Sequence, residues 1–196
     1  MKHEFIMPFI CKWEGGLSRD VNDAASAKPC PSAFKGMNGW HTNMGITWIT
    51  WMAYCKAKGI TSIAVMAERF FNMTKADQSD VFKILYWDKV YGDVYTNLYI
   101  ANCMASWVWG SGVQGAFKQI KNFIDLADHP YPQTWSAIPT ALNTFPNQPG
   151  LFLQLCEARK DFFISISGPG TKNAKFQKGW LNRLEAFKKF NQSLFK

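Results

Sequence analysis

The 196-residue sequence has few acidic residues, no long apolar run, and neither low complexity nor internal repeats. Its 14 Asp and Glu are outnumbered by 22 Lys and Arg, which gives a formal charge of +8. This excess predicts attraction to polyanions, namely nucleic acid, an anionic membrane or an anionic cell wall, and does not choose among them. A membrane-spanning helix needs about 20 apolar residues. No stretch approaches that length, so stable membrane insertion is not expected.

The cysteines show no pairing pattern. All five are widely spaced, with no Cys-x-x-Cys pair and no histidine at ligand spacing: Cys11, Cys30, Cys55, Cys103 and Cys156. This arrangement excludes the common zinc and dithiol motifs. We therefore interpret the cysteines as free thiols and expect no metal site.

Sustained strand alternation is also absent, whereas apolar residues at helical spacing recur along the chain. They predict an opening helix ended by Gly15 and Gly16, then a long loop from Leu17 to Thr47. Later helices are expected at residues 48–58, 62–72, 75–91, 98–109, 113–126, 134–143, 149–166 and 173–193, with a turn at 128–132. The pattern predicts an all-α fold, and the length favours one compact unit.

Glu14 is the main candidate for chemistry because it stands at the predicted end of the opening helix, between Trp13 and two glycines. Cleavage of a glycosidic bond needs a carboxylic acid that stays protonated near neutral pH, and a partly apolar setting favours that form. Glycines leave room for a bulky ligand. A second carboxylate is also needed, and Asp20 and Asp23 are the nearest in the following loop. Taken alone, a Glu before two glycines is also typical of an ordinary solvated helix end.

Two stretches of sequence carry a resemblance to a known family. The first is Glu14–Asp23 (EGGLSRDVND), and the second is Thr42–Thr47 (TNMGIT). Together they resemble the signature of glycoside hydrolase family 108, the N-acetylmuramidases of phage and bacterial lysis systems that are often labelled secretion activator proteins. Tyr86–Asp88 (YWD) and Gly179–Arg183 (GWLNR) are similar to later family segments, so the resemblance covers nearly the whole chain.

The resemblance implies a lysozyme-like helical domain with a helical C-terminal region packed on it. Residues 1–95 would be the catalytic region and residues 96–196 a region of the kind predicted to bind peptidoglycan, together forming one compact unit. Glu14 would be the catalytic acid, with Asp20 or Asp23 as its partner. The residues expected to bind substrate are Gly15, Gly16, Trp40, Thr42 and Thr47.

The sequence departs from the family pattern in the segment from Ala24 to His41 and at Ser106 and Gly110, among other positions. The segment from Ala24 to His41 is longer than the family's short Pro-Gly-Gly link. Ser106 and Gly110 align with positions where family members commonly carry Asp and Asn. Within the longer segment, Trp40 is the best candidate for a sugar subsite because it lies in a loop. His41 is either a proton shuttle or a polar surface residue.

Three of the candidate residues also have a purely structural interpretation. Asp20 and Asp23 are typical of turns in which a carboxylate accepts nearby backbone hydrogen bonds. Thr47 is typical of an N-cap for a helix that begins at Trp48. The sequence alone does not choose between these structural interpretations and the catalytic or substrate-binding ones.

The resulting hypothesis is hydrolysis of the bond between N-acetylmuramic acid and N-acetylglucosamine, with no metal or organic cofactor. The partners would be peptidoglycan glycan strands, and the protein would be a monomer acting on the bacterial cell wall. The short N-terminal apolar segment, broken by Pro8, predicts no signal peptide, so release would follow a phage-type or non-classical route from the cytoplasm. The alternative is a non-catalytic wall-binding or secretion-associated protein of the same fold. Nucleic-acid binding is not expected, because recognition-helix, RNA-binding and zinc signatures are absent.

Overall fold

The computed structural model describes residues 2–34, 36–126 and 134–195, without the side chains of Asp125 and Leu126. Its backbone contacts divide the chain into two compact units. We call Ile10–Leu85 the central unit, and Met1–Phe9 with Tyr86–Lys196 the terminal unit. The assignment of catalysis to residues 1–95 and of wall binding to residues 96–196 stays a prediction, because a compact unit does not by itself define a function.

Helices form most of the described chain. The α-helices are α1 (Met7–Trp13), α2 (Trp48–Ala57), α3 (Ile63–Phe71), α4 (Lys75–Phe82), α5 (Leu98–Leu126), α6 (Ile138–Asn143), α7 (Gln148–Ile166) and α8 (Gln177–Gln192). Strands β1 (Thr42–Asn43) and β2 (Ile46–Thr47) form a small antiparallel sheet before α2. Short 3₁₀-helices occupy Lys2–Phe5, Ala24–Ala27, Asp88–Val90, Gly92–Val94, Trp135–Ala137 and Ala174–Phe176, and a π-helix occupies Lys83–Trp87.

The core of the central unit is formed by aromatic side chains of α2 and α3. Trp51 is fully buried, and its indole N–H donates a 2.8 Å hydrogen bond to the carbonyl oxygen of Met66. The Trp48 and Phe70 rings pack edge to face with their centroids 5.4 Å apart. Because such rings bury a large apolar area, they stabilise the pair of helices on which the neighbouring hairpin rests.

The fourth helix is fixed at its start and along its length. Thr74 and Asp77 form a capping box, in which each side chain accepts a hydrogen bond from the other residue's backbone N–H. Further along α4, Asp80 accepts a 2.6 Å hydrogen bond from the Tyr54 hydroxyl and pairs with Lys58 at 2.9 Å. These contacts join α4 to α2 and to its C-cap residue.

In the terminal unit, α5, α7 and α8 pack around buried aromatic and polar side chains. Phe152 contacts the Tyr99 ring, with centroids 5.9 Å apart, and the Phe187 ring, at 6.1 Å. A buried hydrogen bond of 2.8 Å runs from the Asn102 amide to Asn191, joining α5 to α8. Buried polar groups are tolerated when they are paired in this way.

Arg159 of α7 is buried against α5 in the terminal unit. Its guanidinium donates to the Ser106 hydroxyl at 3.1 Å and to the Ser106 carbonyl at 3.0 Å. Burial lowers the pKa of Arg159 to about 10. The departure from the family pattern at Ser106 therefore places a neutral hydroxyl beside a buried cation.

The predicted all-α, lysozyme-like class is confirmed. The predicted helix break also holds, because Gly112 has φ 71° and ψ 163° within the Leu98–Leu126 segment. That backbone conformation is almost exclusive to glycine. All five cysteines are free thiols, as predicted. The predicted turn at 128–132 lies outside the described residues.

One small sheet was missed, and one predicted helix was wrong. The sheet was not predicted, because two strands of two residues each are too short to show alternation. The single helix expected at 75–91 is instead an α-helix, a π-helix and a 3₁₀-helix in succession. The π and 3₁₀ segments have 5 and 3 residues, so each is about one turn long and too short for its different period to show in the apolar spacing. Among the described residues, no helix combines the length and apolarity needed to cross a membrane.

Candidate active site

Glu14 directly follows the last residue of α1 and begins the Glu-Gly-Gly segment. Its side chain is half-buried, whereas Gly15 and Gly16 are exposed. A methyl group added to either glycine would meet no atom within 4 Å, and neither glycine has a positive φ. Neither the backbone conformation nor internal packing therefore requires glycine here. The space above the two glycines is open.

The hairpin of β1 and β2 lies against Glu14. Its strands pair Thr42 with Thr47 and Asn43 with Ile46, which leaves a two-residue turn of Met44 and Gly45. Both turn residues have positive φ, 49° and 78°, which is the type I′ geometry favoured in two-residue hairpins. Glycine adopts this conformation without strain, whereas methionine adopts it at some cost.

The carboxyl group of Glu14 packs directly on the turn glycine. A Cβ added to Gly45 would lie 2.6 Å from Glu14 Cδ and 2.9 Å from Cγ, closer than real Cβ contacts. The positive φ of Gly45 favours glycine, and a side chain at this position would push the Glu14 carboxyl aside. The turn thereby brings the two resembling segments, Glu14–Asp23 and Thr42–Thr47, into contact.

Gln78 of α4 links the turn to the opening helix. Its side chain is fully buried, accepts a 3.0 Å hydrogen bond from the Cys11 thiol, and donates a 2.8 Å bond to the carbonyl of Met44. Burial raises the pKa of Cys11, the nearby Lys75 ammonium opposes this, and the Glu14 carboxylate adds a smaller upward shift. The thiol therefore stays protonated near neutral pH, as its donor role requires.

A second anchor holds strand β1 of the hairpin. The amide of Asn43 is buried and donates a 2.6 Å hydrogen bond to the backbone carbonyl of Phe70. The Ser18 N–H donates to the Thr42 carbonyl at 2.8 Å, so the chain after Gly16 pairs with β1. The hairpin is thus held by α3, by α4 and by the segment that carries Glu14.

His41 joins the loop that carries Asp20 to the hairpin. Its ring is buried, with Nε2 3.1 Å from the Asp20 carbonyl and Nδ1 3.0 Å from the Thr42 hydroxyl. A carbonyl can only accept, so Nε2 carries the proton, and in the neutral ring Nδ1 accepts from Thr42. Of the two alternatives for His41, the surface residue is wrong, and the contacts of the ring are those of a structural residue.

The two candidate aspartates both make local turn contacts. One carboxylate oxygen of Asp20 accepts hydrogen bonds from the backbone and side-chain nitrogens of Asn22, at 2.8 and 3.1 Å. Asp23 is the N-cap of the Ala24–Ala27 helix and accepts from Ala25 N at 2.9 Å. Both side chains are exposed. The structural interpretation therefore applies to each, and it leaves their catalytic assignment a prediction.

The two candidate threonines also have defined local contacts. Thr47 is the N-cap of α2, and its hydroxyl accepts from the Thr50 N–H at 3.2 Å. Thr42 contacts His41 through its hydroxyl and Ser18 through its carbonyl. Both are half-buried. Their assignment to substrate binding stays a prediction.

Trp40 is half-buried in the loop, and a cation covers one side of its ring. The guanidinium carbon of Arg19 lies over the ring, 5.2 Å from its centroid. Gly39, with φ 88°, lets the guanidinium approach the backbone, since an added Cβ would lie 3.2 Å from Nη2. The predicted subsite tryptophan is therefore paired with an exposed arginine.

The sequence did not reveal the roles of Gln78 and Arg19. Gln78 occupies one position in a helix with other polar residues, and nothing in its spacing distinguishes it from a solvated side chain. Arg19 was visible only as part of the resembling segment. Among the described residues, no three His, Cys, Asp or Glu side chains gather in a group that could hold a metal ion.

The fold and the carboxyl group packed on a hairpin turn define a lysozyme-like helical protein. Residues 7–112 match the model of the glycosyl hydrolase 108 family. The chain belongs to this family and is a glycoside hydrolase, which implies a glycan substrate.

A solved structure has the same fold. The structure of Brucella abortus SagA matches with a TM-score of 0.68 and 22% sequence identity, over 99% of this chain and 97% of that one. Comparison with curated proteins gave no significant match.

Proposed function

We propose that the chain hydrolyses the glycosidic bond between N-acetylmuramic acid and N-acetylglucosamine in peptidoglycan. Glu14 acts as the general acid that protonates the leaving oxygen. The observation that carries this proposal is the packing of the Glu14 carboxyl on Gly45 beside the open space at Gly15 and Gly16. A catalytic acid needs a fixed position and an accessible side, and this arrangement provides both.

The position of Glu14 is restrained from two directions. It directly follows α1, and the Gly45 turn beneath it is held by the Gln78 and Asn43 side chains.

The second carboxylate of the reaction is Asp20 in this proposal. The buried His41 ring holds its backbone carbonyl, so the loop at Asp20 is fixed to the hairpin that carries Gly45. Asp23 instead begins the Ala24–Ala27 helix as its N-cap. Asp20 would stabilise the positive charge that develops on the sugar or orient the attacking water.

The bacterial cell wall is the proposed site of action. The formal charge of +8 favours accumulation on a wall rich in phosphate and carboxylate. This attraction is independent of the chemistry at Glu14. It predicts that binding to whole sacculi weakens as salt is added.

The experiment that tests the proposal compares purified wild type with Glu14→Gln on suspended peptidoglycan sacculi. The amide has nearly the same shape as the carboxyl but has no acidic proton to transfer, so Glu14→Gln should clear the suspension at least about 100-fold more slowly. Glu68→Gln, at an exposed position of α3, is the matched control and should clear at the wild-type rate.

The outcomes separate the two functional hypotheses. Clearing by wild type and Glu68→Gln, with loss in Glu14→Gln, supports the proposal. Equal clearing by wild type and Glu14→Gln contradicts the role of Glu14. Sedimentation of wild type with sacculi without any clearing favours the non-catalytic wall-binding protein.

A further inference from the structure

We propose that Arg19, held on Trp40, binds a carboxylate of the glycan substrate and makes the site selective for anionic over neutral glycan. This inference deepens the proposed function and rests on it for the identity of the substrate. The sequence resemblance assigned no role to Arg19.

Three features hold Arg19 and its segment in the central unit. Its guanidinium lies over the Trp40 ring at 5.2 Å, and Gly39 lets Nη2 approach the backbone. The residue before it, Ser18, pairs with Thr42 through a 2.8 Å backbone hydrogen bond. Arg19 therefore lies on a segment held to the hairpin against which Glu14 packs.

The tryptophan is itself held in place from both sides. The Trp40 carbonyl accepts a 2.5 Å hydrogen bond from Cys30 N, and the neighbouring His41 N–H donates to the Ser18 carbonyl at 3.2 Å. The aromatic surface under the guanidinium is thus part of a braced loop. A braced surface restricts the guanidinium and lowers the entropy lost when it binds a ligand.

The remaining donors of Arg19 suit a carboxylate. A guanidinium that rests on a ring keeps its N–H groups in its own plane, where they bind two carboxylate oxygens side by side. Arg19 is exposed, and among the described residues no carboxylate forms an ion pair with it. It also lies five positions after Glu14, in the segment that contains the open glycines.

Peptidoglycan offers carboxylates from two sources. Strands stripped of their peptides carry free lactyl carboxylates on muramic acid, whereas intact sacculi carry carboxylates on their peptides. Amidation of either material with a carbodiimide and an amine removes the negative charge and leaves the sugar backbone unchanged. Comparing each material before and after amidation distinguishes the effect of the carboxylate from that of the sugar backbone. Comparing stripped strands with intact sacculi distinguishes the lactyl carboxylate from the peptide carboxylates.

The test measures hydrolysis of each material before and after amidation, by wild type, Arg19→Gln and Lys56→Gln. Lys56→Gln removes the same charge from an exposed position of α2 and is the matched control. The readout is the ratio of the two rates for one protein preparation, so it does not depend on how much of a variant is folded. Wild type should prefer the free carboxylates of one source by about fivefold, because a bidentate charged contact is strong but solvent screens an exposed one.

Arg19→Gln should bring this ratio close to one, and Lys56→Gln should keep it. The material that shows the effect identifies the carboxylate. An unchanged ratio in Arg19→Gln, or an equal loss in Lys56→Gln, would overturn the subsite. If wild type hydrolyses neither material, the proposed function is wrong. In that case the same ratio is measured for binding by sedimentation in place of hydrolysis. Loss of the preference for free carboxylates in Arg19→Gln supports the subsite, and an unchanged preference overturns it.

Discussion

Substitution of Gly45 by alanine should displace the Glu14 carboxyl without removing any ionisable group. The added methyl would lie 2.6 Å from Glu14 Cδ, and Gly45 sits in a turn held by Gln78. Because the backbone of the turn is restrained, we expect the Glu14 side chain to move, by roughly 1 Å. A displacement of that size lowers the rate of a positioned reaction by about 100-fold.

The same substitution also strains the backbone, and this effect needs its own control. Alanine at a positive φ costs about 1–2 kcal/mol of folding free energy. Gly59 has φ 76°, close to the 78° of Gly45, and an added methyl there would meet no atom within 4 Å. Gly59→Ala therefore reproduces the backbone strain without the contact to Glu14.

The assay combines denaturant unfolding with the rate of sacculus clearing for the two variants. We expect similar losses of unfolding free energy and a loss of activity only in Gly45→Ala. Equal activity in Gly45→Ala and Gly59→Ala would refute the argument that contact with this turn sets the position of Glu14.

Three further predictions concern other residues of the central unit. Gln78→Leu should lower the unfolding free energy by about 1–3 kcal/mol, because it leaves the part-buried Met44 carbonyl without its donor, and should reduce kcat more than it raises KM. Asp20→Asn should lose most hydrolysis, whereas Asp23→Asn should keep it, and equal activities would contradict the choice of Asp20. The Tyr54 hydroxyl, aided by a neighbouring ammonium, holds the pKa of Asp80 below its usual 3.8. The stabilisation is therefore fully present above pH 3.8 and is lost as the pH falls through the lowered pKa, so the difference between the urea midpoints of wild type and Asp80→Asn should be largest near pH 7 and shrink as the solution is acidified.

Much of the fold follows from apolar spacing in the sequence. Ile6 and Ile10, one helical turn apart, are both fully buried, and the break at Gly112 marks a real change of backbone conformation. The π-helix at Lys83–Trp87 was not predictable, because its hydrogen-bond register leaves no clear trace in residue type. The β1–β2 hairpin was also hidden, since its turn pairs a glycine with an unusual methionine at positive φ.

The candidate site was predictable in its segments and not in its contacts. The sequence singled out Glu14 and the Thr42–Thr47 segment, and the structure places the carboxyl of one against Gly45 of the other. The supporting contacts depend on residues distant in the chain. Gln78 reaches a carbonyl 34 positions away, and His41 reaches one 21 positions away. Such partners are set by tertiary packing, which a local sequence pattern does not encode.

The most direct test of the account is the identity of the sugar at the new reducing end. Sacculi digested by wild type are reduced with borohydride, and the products are separated and identified by mass spectrometry. We predict reduced N-acetylmuramic acid at the product ends, with none formed by Glu14→Gln. Reduced N-acetylglucosamine at those ends, or the same products from Glu14→Gln, would contradict it.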